Sequence, residues 1–278
     1  MFIRKRFGSV VGSRRRILRA VGVAVVATVF CVGCGNPAGN SGGGKGGGGG
    51  DPDSTGTPFD GYTGSYGSVS YGGKTYKTVK IGTQTWFAEN LNYNVAGSKC
   101  YGEGGVTYVY DEASDDFIEG KTLTASEVQA NCAKYGRLYD WNTAMNGASS
   151  SSSVPSGVRG VCPSGWHLPS EAEWDVLVDY AGGWETAGTK LKSSSGWYSY
   201  DGVPVGTNQY GFSALPGGLV YGYFEGAGNY GAWWTATGDD EYGPMGLFMK
   251  YHDESVHVDD DDSIEDIKFS MSVRCVKN

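Results

Sequence analysis

The clearest periodic pattern of apolar residues lies between residues 170 and 183. Four apolar positions recur with the i, i+3, i+4, i+7 spacing of one helix face: Trp174, Leu177, Val178 and Ala181. Ser170 and Glu173 form a capping box, in which each side chain satisfies a free backbone amide of the other residue. Gly182 and Gly183 follow, and glycine commonly ends a helix. The pattern therefore predicts an amphipathic helix that begins after Ser170 and ends at Gly182.

A helix is also predicted on each side of this one. Thr124 and Glu127 form a second capping box, which begins a helix that runs to about Tyr135 and stops at Gly136. Residues 185–192 predict a further short helix. The helical part of the chain is therefore small.

Strands are predicted where apolar and polar residues alternate. Residues 74–91 predict a hairpin that turns at Gly82. After Trp197 the chain is rich in glycine and tyrosine, and it predicts short strands at residues 232–235, 245–252 and 267–276. Few helices combined with short, glycine-broken strands indicate an α+β domain.

The first 33 residues have the pattern of a bacterial export signal. Seven Lys or Arg residues precede or flank a 13-residue apolar run, residues 20–32, which is too short to span a bilayer. The run ends in small residues followed by Cys34, as in a lipobox, so cleavage would leave Cys34 as a diacylated N-terminus. Ordinary secretion and a membrane-retained helix are the alternatives. Residues 13–19 also resemble a twin-arginine export motif, but a simple charged region is the preferred interpretation.

Three segments follow from this pattern. Residues 1–33 are predicted to be the signal peptide, and residues 34–70 the lipidated cysteine with a glycine-rich flexible linker. Residues 71–278 are predicted to be one domain. The stretch 59–70 is rich in Tyr, Gly and Ser and is assigned to the linker.

The charge of the exported part excludes one class of partner. The chain carries 22 basic and 30 acidic residues, and removal of the signal peptide changes the formal net charge from −8 to −15. Phosphate binding needs clustered Lys and Arg, so nucleic acid and anionic lipid headgroups are not expected partners. The expected membrane contact is the lipid on Cys34.

Four cysteines remain in the exported domain: Cys100, Cys132, Cys162 and Cys275. An even number in an exported domain predicts two disulfides, for which three pairings are open. Zinc binding is the alternative, but no two of these cysteines have the close spacing that zinc sites usually show.

The candidates for chemistry are few. His167 lies between Trp166 and Leu168, which is typical of a structural histidine, and His252 and His257 are expected on a solvent-facing or cross-strand position. A run of acidic residues could bind Ca²⁺ through its oxygens, namely Asp259, Asp260, Asp261 and Asp262. A solvated acidic loop is the simpler interpretation, because the run lacks the spacing of a dedicated calcium loop. No cofactor is expected.

Aromatic residues of the glycine-rich second half form the candidate ligand surface. The main members are Trp197, Tyr198, Tyr200, Tyr221 and Tyr223, with Tyr210 and Tyr230 as further members. Exposed rings with polar tips suit stacking on sugars or docking against proteins. Packing of these rings in the core is the alternative.

Three segments carry a resemblance to known families. The sequences VCPSGWHLPSEAEW, YGRLYDW and SVRCVKN resemble the Fibrobacter succinogenes major paralogous domain. The segment HLPSEAEWDVLVDYAGG also resembles the RLPTEAEW segment of the formylglycine-generating enzyme superfamily, whose fold is related to C-type lectins. These resemblances imply a C-type-lectin-like α+β domain. They favour the pairs Cys100–Cys132 and Cys162–Cys275, the second because lectin-like folds commonly join these regions.

The resemblance also bears on function. The enzyme superfamily uses a pair of cysteines in its C-terminal part, whereas this chain has only Cys275 after Cys162, so no catalytic residue is carried over. We therefore expect a non-enzymatic surface lipoprotein of the cell envelope or outer membrane that binds polysaccharide or a surface protein. A formylglycine-generating oxidase, a purely structural envelope lipoprotein and a secreted form are the alternatives.

Overall fold

The computed structural model describes residues 61–111, 114, 116–239, 243–259 and 269–278. The helices are α1 Ala125–Tyr135, α2 Trp141–Met145, α3 Glu171–Tyr180 and α4 Ala187–Leu191. The strands before α3 are β1 Gly67–Tyr71, β2 Lys74–Ile81, β3 Gln84–Phe87, β4 Ser98–Lys99, β5 Val106–Asp111, β6 Asp116–Thr122, β7 Leu138–Asp140 and β8 Trp166–His167. The strands after α4 are β9 Gly217–Tyr221, β10 Tyr223–Ala227, β11 Tyr230–Asp239, β12 Gly243–Lys250, β13 Val256–Asp259, β14 Phe269–Met271 and β15 Val276–Lys277.

The predicted α+β, C-type-lectin-like fold is wrong. The described residues form fifteen strands and only four helices, two of which have five residues each. The glycine-rich second half forms long antiparallel strands such as β11 and β12, because glycine there supplies turns and close backbone approaches while the residues between pair normally. The hairpin of β5 and β6 was not predicted at all. The regular structure of the described residues is therefore mostly β.

Two sheets make up the domain. The smaller has the strand order β1-β2-β3-β15-β8, so the predicted hairpin of β2 and β3 is confirmed and the C-terminal strand β15 lies between β3 and β8. The larger runs β13-β12-β11-β9-β10-β5-β6, and β14, β7 and β4 join it from the side.

The larger sheet curls strongly. Strands β6 and β11 have three strands between them, which would place them about 19 Å apart in a flat sheet. Yet the ring centroids of Phe117 on β6 and Tyr230 on β11 are 6.1 Å apart. The hairpin of β5 and β6 therefore folds back over the rest of the sheet.

Both capping boxes are confirmed. In α3, Ser170 and Glu173 cap each other's amides, and all four predicted apolar positions have no solvent exposure. In α1, Thr124 and Glu127 do the same. The Lys121 ammonium is hydrogen-bonded to Glu127 and, with the Thr124 hydrogen bonds, lowers the pKa of this exposed carboxyl to about 2. The apolar face of α3 packs in a core cluster with Trp86 and Trp233.

Two disulfides cross-link the domain, Cys100–Cys132 and Cys162–Cys275. The favoured pairing is confirmed. The second bridge joins positions 113 residues apart and ties the segment before β8 to the segment before β15. Two disulfides indicate an extracellular or periplasmic protein.

Within the described residues, none of the helices has the length and apolar character needed to cross a membrane.

Strand β1 begins before the residue at which the sequence predicts the domain to start. Gly67–Ser70, assigned above to the linker, are the first residues of β1 and pair with β2. The predicted signal peptide, the lipidated Cys34 and most of the linker lie outside the described residues.

Candidate functional site

The most exposed aromatic cluster of the predicted ligand surface lies around Tyr251. Tyr198 and Tyr200 are 49% and 52% exposed, and the edges of their rings meet Tyr251 with centroid distances of 6.3 and 5.8 Å. The exposed ring of His252 lies 5.9 Å from Tyr200 and 5.0 Å from Tyr251. We call Tyr198, Tyr200 and His252, together with the largely buried Tyr251 that they contact, the exposed tyrosine surface.

Buried side chains hold this surface in place. Trp197 is buried, and its indole Nε1 donates to Ser193 Oγ and to the carbonyl of Ala214. The amide of Tyr198 donates to the carbonyl of Gly228. The start of the loop that presents Tyr198 and Tyr200 is thus anchored by hydrogen bonds from two successive residues.

Lys192 anchors the opposite side of the surface. Its ammonium is 1% exposed and donates to the carbonyls of Lys250 and Asp253, at 3.0 and 2.7 Å, on either side of Tyr251 and His252. Burial lowers the pKa of Lys192, and Asp253 and Glu254 oppose that effect. The turn that carries Tyr251 is therefore fixed by a buried cation that sequence reasoning did not single out.

The other predicted surface residues lie elsewhere. Trp197 belongs to the core. Tyr221 and Tyr223 are half-buried on β9 and β10, and Tyr221 packs on Phe269. The remaining two members of the wider set are also packed: Tyr210 meets Tyr180, and Tyr230 is buried.

A second aromatic cluster lies on the face around which the larger sheet curls. Glu225 is 4% exposed and accepts a hydrogen bond from the Tyr230 hydroxyl at 2.7 Å. The rings of Tyr108 and Tyr223 have centroids 4.0 Å apart. Together with Phe117 and Tyr110, these residues form what we call the tyrosine trough. The alternation of Tyr108 and Tyr110, and of Tyr223 and Glu225, is the sequence signal that was missed.

Tyr110 links the two clusters. Its ring lies 5.6 Å from Phe117 and 6.3 Å from Tyr251. The trough and the exposed tyrosine surface are therefore neighbours within one aromatic array.

The histidines have structural partners. The ring of His167 is 2% exposed, and its two nitrogens lie 2.8 Å from Glu173 Oε1 and from Asn278 Oδ1. His257 Nε2 lies 2.8 Å from Asp253 Oδ2. Burial lowers the pKa of His252, so this ring is neutral at pH 7. His167 thus joins β8 and α3 to the end of the chain.

The network of His167 predicts a pH dependence of stability. Burial lowers the pKa of His167, but hydrogen bonds to Glu173 and Asn278 outweigh it, and the net pKa is raised above 6.5. A raised pKa means that the folded state binds the proton more tightly than the unfolded state. The stability contributed by protonated His167 is therefore fully present below its unfolded pKa and is lost as pH rises through the folded one.

This dependence can be measured by urea unfolding of wild type and His167→Gln between pH 5 and pH 9. We expect the stability advantage of the wild type to be largest at pH 5 and to shrink as pH rises. An advantage that grows with pH would contradict the assignment. His252→Gln is the matched control, because that ring is exposed and its pKa is lowered.

The acidic run offers no described calcium site. Asp259 ends β13, and Asp260, Asp261 and Asp262 lie outside the described residues. In the part of the chain that the structure describes, no group of three or more His, Cys, Asp or Glu residues could hold a metal ion. All four described cysteines are in disulfides, so these residues provide no free thiol pair of the kind an oxidase would need.

A shallow open depression of about 460 Å³ lies on the face of the β5–β6 hairpin that is opposite to the tyrosine trough. It is lined mainly by apolar atoms, including Tyr101, Val109 and Leu123. Its lining contains no cluster of titratable groups. We therefore place the candidate functional site on the aromatic array.

Fold and site together define a mostly-β, disulfide-linked domain that presents aromatic side chains on a rigid scaffold. The chain belongs to the Fibrobacter succinogenes major domain family, whose model matches residues 79–277. The first resemblance is thereby confirmed, whereas the relation to formylglycine-generating enzymes and C-type lectins is not. No curated protein and no solved structure matched the chain. The family name specifies no activity, so function is argued from the site.

Proposed function

We propose that this domain is a non-enzymatic binding and adhesion module that engages polysaccharide through the exposed tyrosine surface. The observation that carries the proposal is the exposure of about half of the Tyr198 and Tyr200 side chains while their edges rest on Tyr251. Fixed rings lose little conformational entropy when a sugar stacks on them, and their hydroxyls can hydrogen-bond its polar edge.

The electrostatics of the surface favour an uncharged ligand. His252, the histidine of this surface, is neutral at pH 7 because burial lowers its pKa, and the ammonium of Lys192 is buried and already bonded to two carbonyls. Asp201 lies exposed next to Tyr200. A polysaccharide without carboxylate or sulfate groups therefore suits the surface better than an acidic one.

The test is a binding measurement with the double variant Tyr198→Ala/Tyr200→Ala. We expect the wild type to bind at least one neutral polysaccharide saturably, and the variant to bind it about tenfold or more weakly, since each lost ring contact removes about 0.5–1.5 kcal/mol. Affinity electrophoresis against a panel of neutral and acidic polysaccharides would measure both.

Tyr180→Ala is the matched control. Tyr180 is 55% exposed on α3 and also meets another tyrosine, Tyr210, at its edge. Its loss should leave polysaccharide binding unchanged. If wild type binds none of the panel, or if both variants weaken binding equally, the proposed surface is wrong, and a purely structural envelope role becomes the better explanation.

We further propose that the domain is held at the bacterial cell envelope by a lipid on Cys34. The support is the lipobox-like sequence before Cys34 together with two disulfides that suit an oxidising compartment. Mass spectrometry of protein purified from membranes should find a diacylated Cys34 at the N-terminus. An intact segment 1–33 in the mature protein would contradict the anchor.

A further inference from the structure

The tyrosine trough contains a buried carboxylate without a cation. Glu225 is only 4% exposed. In the described part of the chain, no Lys, Arg or His forms an ion pair with it. Its hydrogen-bond partner at 2.7 Å is the neutral hydroxyl of Tyr230. A buried carboxylate is usually paired with a positive charge, because removing it from water is costly.

Aromatic rings surround this carboxylate on one face of the sheet. Glu225 is the register partner of Tyr108 across parallel strands, so their side chains share a face. Tyr223 lies two residues earlier on the same face and stacks on Tyr108. The curl of the sheet then brings Phe117 to Tyr230, which closes the aromatic wall on the far side.

The carboxylate lies just beneath the surface rather than deep in the core. Tyr223 and Tyr108 are half-buried, and the exposed Asp116 is close enough to act on Glu225. Burial raises the pKa of Glu225, hydrogen bonds from Tyr230 and Tyr223 lower it only in part, and the charge of Asp116 raises it further. Burial and the charge of Asp116 both disfavour an unpaired anion at Glu225, and a positive charge beside the carboxylate would offset both.

We propose that the tyrosine trough is a binding site for an organic ammonium group, held by the carboxylate of Glu225 and the faces of the surrounding rings. Ring faces carry a negative quadrupole that attracts Lys-like or quaternary ammonium groups, most strongly where water is excluded. The carboxylate adds a charge-assisted contact. This site is separate from the exposed tyrosine surface, although Tyr110 touches both clusters.

Other ligand charges fit less well. An anion would meet Glu225 and Asp116, which repel it. A hard metal ion needs several oxygen or nitrogen ligands, and the described residues bring no group of three such side chains together here. An organic cation needs only one carboxylate when aromatic rings supply the remaining contacts.

Calorimetric titration of the full-length protein with choline and with 3,3-dimethylbutan-1-ol tests the proposal. The two molecules have nearly the same shape, but only choline is charged. We expect saturable choline binding, with the alcohol at least about tenfold weaker, because the alcohol has no charge for Glu225 or the ring faces. A parallel pair, glucosamine and N-acetylglucosamine, shows whether an amino sugar can supply the ammonium group.

Glu225→Gln separates the charge from the fold. Glutamine keeps an oxygen for the Tyr230 hydroxyl, so the variant should melt like the wild type while it binds the ammonium ligand at least about tenfold more weakly. Glu185→Gln removes the same charge from an exposed position and should change neither property. Tyr108→Leu removes a half-buried ring without touching the Glu225–Tyr230 hydrogen bond and should also weaken binding.

Several results would overturn the proposal. These are no saturable binding of choline or glucosamine, equal binding of each charged ligand and its uncharged analogue, or unchanged binding by Glu225→Gln. Loss of ammonium binding in Tyr198→Ala/Tyr200→Ala would move the site to the exposed surface. Conversely, loss of polysaccharide binding in that variant with normal choline binding would show that the two sites are independent.

Discussion

Replacing Cys162 and Cys275 together by alanine is expected to remove about 5 kcal/mol of stability. The bridge closes a loop of 113 residues, and the chain-entropy model gives this value as an upper estimate for such a loop. Domains of this size are stable by only about 5–15 kcal/mol in total. We therefore expect a variant that is close to unfolding at 37 °C, measurable as a large fall in the urea midpoint under non-reducing conditions.

The pair Cys100→Ala/Cys132→Ala provides the comparison. Its bridge closes only 32 residues and should contribute about 4 kcal/mol in the same model, again as an upper estimate. Removal of the bridge that closes the longer loop should therefore cost more stability. If removal of Cys162–Cys275 proves the milder change, packing around the cysteines outweighs loop entropy and this prediction fails.

Arg274→Met is expected to destabilise the domain by about 4 kcal/mol. The guanidinium is fully buried and donates to Asn90 Oδ1 at 2.7 Å and to three backbone carbonyls, those of Phe87, Phe212 and Ser213. Burial lowers the pKa of Arg274 to about 9, which still leaves it charged at pH 7. Methionine fills much of the volume but leaves these acceptors without their donor, and urea unfolding would measure the loss.

Arg159→Met is the control for this change. Arg159 is exposed, its Nε donates to the carbonyl of Cys162 at 3.2 Å, and its side chain also hydrogen-bonds Tyr71. Its loss should cost less than about 1 kcal/mol. Arg274→Lys keeps the charge but has too few donors in the right geometry, so we expect an intermediate stability. Equal effects of Arg274→Met and Arg159→Met would show that the buried network contributes little.

Arg274 also shows why the C-terminal segment matters to the fold. Its donors reach the end of β3 and the loop around Phe212, and the guanidinium lies 4.5 Å from the Phe212 ring centroid. Cys275 and β15 follow directly, and β15 pairs with both β3 and β8. One short segment therefore joins β3, β8 and the loop around Phe212.

Local features were predictable because local interactions decide them. The capping boxes, the apolar face of α3 and the hairpin of β2 and β3 depend on residues within a few positions of one another. The family resemblance favoured the disulfide pairing that the structure has, whereas residue spacing had left three pairings open.

The fold class was misjudged because strand pairing is a long-range property. Short strands were predicted inside β11 and β12, but β9 was not predicted, and it pairs with β14 and in parallel with β11 as well as with its neighbour β10. The period-two alternation of β5 was present in the sequence. The place of β5 in the larger sheet, however, depends on its parallel neighbour β10, which lies more than a hundred residues away in the chain.

The candidate site also combines features that the sequence determined with features that only the tertiary structure decided. The sequence by itself determined that this domain is rich in tyrosine and acidic, and that it carries an even set of cysteines. Only the tertiary structure decided which rings are exposed: it buried Trp197, left Tyr198 and Tyr200 against Tyr251, and enclosed Glu225 among rings. The reason is physical, because exposure of a ring and the cost of a buried charge depend on neighbours that sheet curvature and loop anchoring bring together.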